Sequence, residues 1–215
     1  MKPISGIRVE RRPLQSGIRT SILDAIGSGA VQPGQKIAVQ PLADLLGVSV
    51  TPVREALNAL VSEGVLEMLP GGTAIVPKIT RPALEQWLWL ERTIELELIR
   101  YGLERKVSAD AQKLATLAAA AAHQTEPTAC NEGCLAVMAR LVAMADRPVL
   151  LENLQRVRHR CSAPLAAARR SLGTAAAAPF LTDFTVALRA GRNADVESAY
   201  RRYRNLLEPA ALDLL

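Results

Sequence analysis

The stretch from Pro41 to Gly64 constrains the fold more than any other part of the chain, because one glycine separates two amphipathic segments there. The apolar residues of the first segment are Leu42, Ala43, Leu45 and Leu46, and Gly47 then interrupts the pattern. Those of the second segment have the i, i+3, i+4, i+7, i+8 spacing of one helix face, and they are Val53, Ala56, Leu57, Leu60 and Val61. Two short helices joined by a glycine turn predict a helix-turn-helix, whose second helix fits the DNA major groove.

The opposite side of the second helix is the predicted DNA-facing surface. Pro52 suits the start of this helix because its missing N–H has no partner in a first turn. Ser49 and Thr51 are expected to offer hydroxyls to the opening turn. With the apolar residues turned inwards, the outward positions are Val50, Thr51, Arg54 and Asn58.

A predicted hairpin follows this helix directly, with strands over 65–69 and 73–76 and a turn at Pro70-Gly71-Gly72. A hairpin in this place is a wing, and glycine at its tip lets the main chain approach phosphates closely. A helix over 14–26 and a short strand over 36–38 are predicted before it. The sequence therefore predicts a winged helix-turn-helix domain over residues 10–78.

Beyond residue 78 only helical patterns occur. The predicted helices cover residues 82–105, 108–123, 127–145, 148–170, 175–190 and 193–213. They predict an all-α six-helix bundle over residues 79–215, and the fold class as a whole is mainly α.

Composition limits which classes of partner and which cellular compartment we expect. The net charge of +5 is compatible with a polyanion such as DNA, and Arg8, Arg11, Arg12 and Arg19 suggest a basic arm or a frayed basic terminus. Three cysteines without CxxC spacing, and no secretory apolar segment, indicate free thiols in a cytoplasmic protein. No apolar run is long enough for a bilayer, so we expect no membrane partner.

The helix-turn-helix resembles GntR-type bacterial transcription regulators. The motifs that carry the resemblance are Leu42-Ala43, Leu46-Gly47-Val48-Ser49, Thr51-Pro52-Val53-Arg54-Glu55-Ala56-Leu57, the preceding GQKI turn and Glu63-Gly64-Val65-Leu66. The helical second half, with Leu188-Arg189-Ala190-Gly191 between its last helices, is similar to the FadR branch in its six-helix, VanR-like form. The resemblance implies a homodimer on a palindromic double-stranded DNA operator, controlled by a small carboxylate effector in the helical domain.

By position, the resemblance assigns DNA contacts to Gln40, Ser49, Val50, Thr51, Arg54 and Gly71, and the helix periodicity adds Asn58. The family often has arginine where this chain has Gln40 and Val50. A missing arginine removes either a phosphate anchor or a bidentate guanine contact, and a good base contact is worth about 1–3 kcal/mol. We therefore expect a shifted operator sequence or weaker binding, with Arg54 carrying more of the binding.

The resemblance also implies a divalent metal held by one Asp and three His. The corresponding positions here are Cys134, Met138, Leu181 and Tyr203. A thiol, a thioether, an isobutyl group and a phenol do not suit zinc, nickel or manganese, so we expect no metal and no cofactor. Copper(I) on Cys134 and Met138 is an alternative, and buried packing is the simpler interpretation.

An effector without a metal needs arginine partners, because a guanidinium binds carboxylates bidentately. The candidate effector pocket comprises Arg100, Cys134, Met138, Arg140, Leu181 and Tyr203. The arginines equally suit a solvated surface, and Trp87 and Trp89 suit an interdomain or dimer face. Two alternatives stay open, a helical domain that only dimerises and an enzyme, although no nucleophile or phosphate-binding motif favours the enzyme.

Overall fold

The computed structural model describes residues 14–105 and 108–215. These divide into two compact units. The first holds the described residues up to Ile26 together with Ala30–Lys78, and the second holds Gly27–Gly29 and the described residues of Ile79–Leu215. The predicted fold class is confirmed, since the chain is mainly helical with a winged N-terminal region.

The described elements from Leu14 to Lys78 are three helices and three short strands. Their bounds are α1 Leu14–Ser28, β1 Lys36–Ala38, α2 Val39–Leu46, α3 Val50–Ser62, β2 Glu67–Leu69 and β3 Thr73–Ile75. The strands form one antiparallel sheet of order β1-β3-β2. Ala74 lies at its centre, opposite Ile37 on one side and Met68 on the other.

The first core forms where α1, α3 and the sheet bury their apolar sides. Its buried residues are Ile18, Ile22, Ile26, Ala43, Val53, Ala56, Leu57, Leu60, Val65, Leu66, Ala74 and Val76. Each large side chain buried here stabilises the fold by roughly 1.5–3 kcal/mol. This burial fixes which side of α3 faces outwards.

The apolar side predicted for α2 is only partly buried. Leu45 is 81% exposed and Leu46 is 40% exposed, so they do not form a buried side with Ala43. Leu45 lies two residues after Ala43, which is a rotation of roughly 200° around a helix, so burial of Ala43 turns Leu45 outwards.

The second unit consists of six described helices. Their bounds are α4 Arg81–Arg105, α5 Ser108–Ala122, α6 Pro127–Ala143, α7 Pro148–Leu172, α8 Ala177–Arg189 and α9 Asn193–Asp213. These bounds agree with the predicted helices to within a few residues. Their inward faces form one continuous core that includes Leu84, Leu141, Phe184 and Leu207.

Helices α4 and α6 approach each other closely at Gly102. A Cβ atom at this position would lie 2.5 Å from the carbonyl oxygen of Leu141, a backbone atom that cannot rotate away. Gly102→Ala is therefore expected to destabilise the protein, because overpacking by about 1–3 kcal/mol outweighs the helix-propensity gain of about 1 kcal/mol. Thermal and urea unfolding followed by circular dichroism measure this.

The matched control is Gly17→Ala in α1, where an added Cβ has no atom within 4 Å. This variant is expected to be as stable as the parent or more so, by roughly 0.5–1 kcal/mol. Equal effects of the two substitutions would contradict the close approach of α4 and α6.

Within the described residues, no helix by itself has the length and apolar character needed to cross a membrane, although α7 and α8 together pass that test as a pair bent by 94°.

Candidate functional site

The outward side of α3 carries the polar side chains that the sequence assigned to it. Val53, Leu57 and Leu60 are fully buried. Thr51, Arg54 and Asn58 are exposed on the other side of the helix, and Val50 is half-buried. The structure thus brings four of the predicted DNA-facing residues onto one surface.

Arg54 is the only arginine or lysine in α3. Its side chain is exposed, and it forms no hydrogen bond or ion pair with any residue in the described ranges, Glu55 included. An exposed guanidinium without an intramolecular partner keeps all five of its N–H donors available for a phosphate or a base edge.

The α2–α3 turn sets the position of the α3 N-terminus. Gly47 has left-handed backbone angles (φ 64°, ψ 32°), which glycine adopts without steric cost. Its N–H and that of Val48 are donated back to the end of α2. Ser49 is the N-cap residue of α3, but its hydroxyl makes no capping hydrogen bond, contrary to our expectation.

The N–H groups in the first turn of α3 are available to bind a ligand. The leading N–H groups of a helix have no intrahelical partner and point at whatever lies beyond the N-terminus. With the Ser49 hydroxyl also unused by the helix, this end of α3 suits a phosphate.

Two further predicted contact residues lie outside α3. Gln40 is exposed on α2, and its Nε2 donates to Oδ1 of Asp44 at 2.8 Å. Gly71 is exposed at the tip of the β2–β3 hairpin with φ 90°, and an added Cβ would meet nothing within 4 Å. Glycine is needed at this position for the backbone angle and leaves the main chain accessible.

Arg19 does not belong to the basic arm that the sequence suggested. This guanidinium forms a bidentate ion pair with Glu63, with Nε–Oε1 at 2.9 Å and Nη2–Oε2 at 2.6 Å. The pair joins α1 to the residue that ends α3, so Arg19 has a structural partner. Arg8, Arg11 and Arg12 lie outside the described residues.

In the second unit, four of the six predicted pocket residues are buried in the same core. They are Cys134 and Met138 on α6, Leu181 on α8 and Tyr203 on α9. The two arginines lie elsewhere. Arg100 is paired with Glu97 and Glu197, and Arg140 is exposed, so the structure does not bring them to the other four.

The donors at the position of the implied metal do not fit a divalent ion. Burial raises the pKa of the Cys134 thiol to about 12, so it stays protonated at neutral pH. The phenol of Tyr203 is buried, stacks on Phe180 with ring centroids 4.9 Å apart, and has a raised pKa for the same reason. Among the described residues, no group of three or more His, Cys, Asp or Glu side chains is placed to hold a metal.

A buried ion-pair network lies between α4, α7 and α9, and sequence reasoning missed it. Its members are Glu91, Glu95, Arg158, Tyr200, Arg204 and Glu208. Arg204 is 2% exposed and donates to Glu91 and Glu208 at 3.0 Å each. Glu95 accepts hydrogen bonds from Arg158 and from the hydroxyl of Tyr200.

The two buried carboxyls differ in their pKa. Burial raises the pKa of Glu91 despite the charge of Arg204. Burial by itself also raises the pKa of Glu95, but Arg158 and Arg204 outweigh it and hold that pKa below its usual value. Both arginines are therefore needed to keep Glu95 charged in the core.

A signal for this network was present in the sequence. Leu84, Leu88, Glu91, Glu95 and Leu98 recur with the 4-3-4-3 spacing of one buried helix face. Two acidic residues on such a face require basic partners, because an unpaired buried charge is very costly.

Comparisons with known proteins agree with this geometry. Residues 14–76 match the family described as "Bacterial regulatory proteins, gntR family". The chain is 30% identical over 100 residues to the HTH-type transcriptional regulator McbR of Escherichia coli (strain K12). That alignment covers 46% of this chain and 45% of the relative, so it spans less than half the length of the curated relative.

Two solved structures share the fold over most of the chain. The structure of E. coli McbR/YncC superposes with a TM-score of 0.76 at 21% identity, covering 89% of this chain and 93% of that one. The crystal structure of a protein from Rhodococcus sp. RHA1, described as a putative transcriptional regulator GntR, superposes with a TM-score of 0.72 at 16% identity, covering 94% of this chain and 99% of that one. These similar proteins are named as regulators, not as enzymes.

A helix-turn-helix followed by a glycine-tipped hairpin, with the outward side of its second helix exposed, defines a winged-helix protein. The part of this unit over residues 14–76 is similar to the gntR family of bacterial regulatory proteins.

Proposed function

We propose that this protein is a transcription regulator that binds double-stranded DNA through α3 and the wing. The observation that supports this most directly is the unpartnered guanidinium of Arg54 on the exposed side of a helix whose other side is buried. Arg19, by contrast, has an intramolecular partner in Glu63.

Each surface element has a distinct part in the proposed complex. Helix α3 enters the major groove, where Arg54 reaches O6 and N7 of a guanine or a phosphate, and Asn58 lies one turn further on. Its N-terminus, with Ser49 and Thr51, faces the backbone, and Gly71 brings the wing main chain to a neighbouring phosphate. The apolar side chain of Val50 contributes no charged contact, so it shifts the sequence preference of the operator.

The proposed regulator acts as a homodimer on a palindromic operator, in the cytoplasm, as a member of the FadR branch with a VanR-like helical domain. Two recognition helices about one helical turn apart read two half-sites. Trp89 is 58% exposed on α4, next to Trp87 and Leu90. An exposed tryptophan of this kind suits contact with a second copy.

The helical domain is proposed to bind a small organic acid that changes the affinity for DNA. Such control requires different affinities of the effector for the two states of the dimer. The alternative is a helical domain that only dimerises. The buried ion-pair network favours this alternative, because its charges already satisfy one another without a ligand.

Selection from a randomised duplex library tests DNA binding and requires no known operator. We expect a palindromic consensus that the dimer binds roughly a thousandfold or more tightly than a scrambled duplex. The affinity should fall linearly on a log–log plot against salt concentration, because phosphate contacts release counterions. Analytical ultracentrifugation of the complex should give two chains per duplex. A library that yields no consensus, with equal affinity for the scrambled duplex, would refute the proposal.

A further inference from the structure

The C-terminal end of α3 is joined to α1 by a side-chain contact that fixes its direction. Arg19 donates from Nε to Oε1 of Glu63 at 2.9 Å and from Nη2 to Oε2 at 2.6 Å. Two parallel hydrogen bonds between a planar guanidinium and a carboxylate define an orientation as well as a distance. The pair therefore resists a rotation of the α3 end that a single-point contact would allow.

Both residues of this pair stand on backbone that is itself held in place. On α1, Arg19 follows Ile18 and precedes Ile22, whose side chains are buried in the first core. Glu63 is the C-cap residue of α3, and its N–H donates to the carbonyl oxygen of Ala59. The two side chains are 33% and 24% exposed, so solvent and salt screen the pair less than an ion pair on an open surface. The pair thus connects the core of this unit to the end of α3.

The wing begins directly after this connection. The N–H groups of Val65 and Leu66 both donate to the carbonyl oxygen of Leu60, at 2.9 Å and 3.3 Å. Val65 and Leu66 are buried, and β2 starts at the next residue, Glu67. The backbone between α3 and the wing is therefore short and anchored on α3, so a displacement of the α3 end also displaces the wing.

The remaining contacts of α3 do not fix its orientation in the same way. Val53, Leu57 and Leu60 hold the helix through apolar burial, which is non-directional. Over the ranges that the structure describes, no side chain of α3 forms a hydrogen bond or ion pair with another element, and the Ser62 hydroxyl bonds within the helix. Directional control of this end of α3 through side chains therefore depends on Arg19 and Glu63.

We propose that Arg19 is a positioning residue for DNA recognition, which acts through Glu63 to hold α3 and the wing as one reading surface. Base readout tolerates little displacement, because a bidentate base contact needs both of its hydrogen bonds in line. Without the pair, the unit still binds phosphates but discriminates less between base sequences. This inference deepens the proposed DNA-binding function and rests on it.

The test compares the affinity of the full-length protein for the operator selected from the randomised library with its affinity for a scrambled duplex. In Arg19→Gln and in Glu63→Gln, the ratio of the two affinities is expected to fall by roughly fivefold to tenfold, the lower end of what one good base contact contributes. The two substitutions change the net charge in opposite directions. A loss common to both is therefore not an effect of charge on the attraction of phosphates.

Further variants separate positioning from stability. The exchange Arg19→Glu with Glu63→Arg reverses the pair and should restore most of the ratio. Arg19→Lys keeps the charge but replaces the planar fork with a point charge, so an intermediate ratio is expected, which provides the rescue even if the exchanged protein does not fold. The matched control is Ile22→Val on α1, which removes one buried methyl group and lowers the melting temperature without touching the pair. Its ratio should equal that of the parent protein.

Three results would overturn the inference. If both glutamine variants keep the ratio of the parent while circular dichroism shows them folded, the pair only stabilises the unit. An equal loss of the ratio in Ile22→Val would attribute the effect to stability. If only one glutamine variant lowers the ratio, the pair is not the cause, and a loss in Arg19→Gln by itself with a salt slope smaller by about one would place Arg19 on a phosphate. In all three cases the parent protein still selects an operator, which distinguishes them from a failure of the proposed DNA-binding function.

Discussion

Replacing Arg54 with alanine is expected to weaken binding to the selected operator by about five- to 150-fold, which corresponds to about 1–3 kcal/mol. Arg54 is the only cationic side chain of α3, and it has no intramolecular partner among the described residues. The substitution should therefore cost binding without costing stability. Fluorescence anisotropy at fixed salt measures the affinity, and a thermal melt measures the stability.

A second series of affinity measurements identifies the kind of contact that Arg54 makes. If Arg54 contacts a base, the alanine variant should lose discrimination at one operator position. If it contacts a phosphate, affinity should fall uniformly across sequences and the salt slope should decrease by about one. The remote control is Arg156→Ala, an exposed arginine of the helical unit. An Arg54→Ala protein that binds within twofold of the parent, with unchanged sequence preference, would remove the main support for the proposed DNA-binding function.

The winged-helix unit was predictable because its burial follows a simple period. Val53, Leu57 and Leu60 recur at helical spacing, and each is buried as the pattern requires. Fixing those three side chains determines the direction of Arg54, so the candidate DNA surface followed from the sequence. Which of its residues touch DNA stays a prediction.

Other features were not predictable because they depend on partners that are distant in sequence. Arg19 looked like part of a basic arm, yet Glu63, 44 residues away, binds it bidentately. Arg100 looked like an effector ligand, but Glu197 pairs with it across the bundle. A pattern along one helix shows which side is apolar, but it does not show which charge on another helix lies opposite.

The clearest case of this limit is Arg204. It stands in the run Tyr200-Arg201-Arg202-Tyr203-Arg204, which looked amphipathic, and nothing local distinguishes it from its two neighbouring arginines. In the fold Arg204 is 2% exposed, whereas Arg202 has a 60% exposed side chain. Two residues along a helix change the direction of a side chain by roughly 200°, so one arginine enters the core and the other stays outside.

Arg204→Met is accordingly expected to destabilise the helical unit by about 3–5 kcal/mol, because removal of one partner leaves buried charges uncompensated. The matched control is Arg202→Met, which breaks only the exposed ion pair with Asp183 and should cost about 0–1 kcal/mol. Urea unfolding followed by circular dichroism compares the two. Equal losses in both variants would mean that the buried ion-pair network does not depend on Arg204.

The pH dependence of the stability of the Arg204→Met variant identifies the charges that cause its destabilisation. Burial already raises the pKa of Glu91 in the parent protein, and loss of Arg204 should raise it further above the unfolded value. The pKa of Glu95 lies below its usual value in the parent, and loss of Arg204 should raise it from there. A carboxyl with a raised folded-state pKa favours folding in its protonated form. The free energy of unfolding that the variant has lost relative to the parent should therefore become smaller as the pH falls from neutrality towards the ordinary carboxyl range of about pH 4–5. A deficit that is independent of pH would instead attribute the loss to packing around the methionine, whereas a shrinking one would show that Glu91 and Glu95 depend on the charge of Arg204.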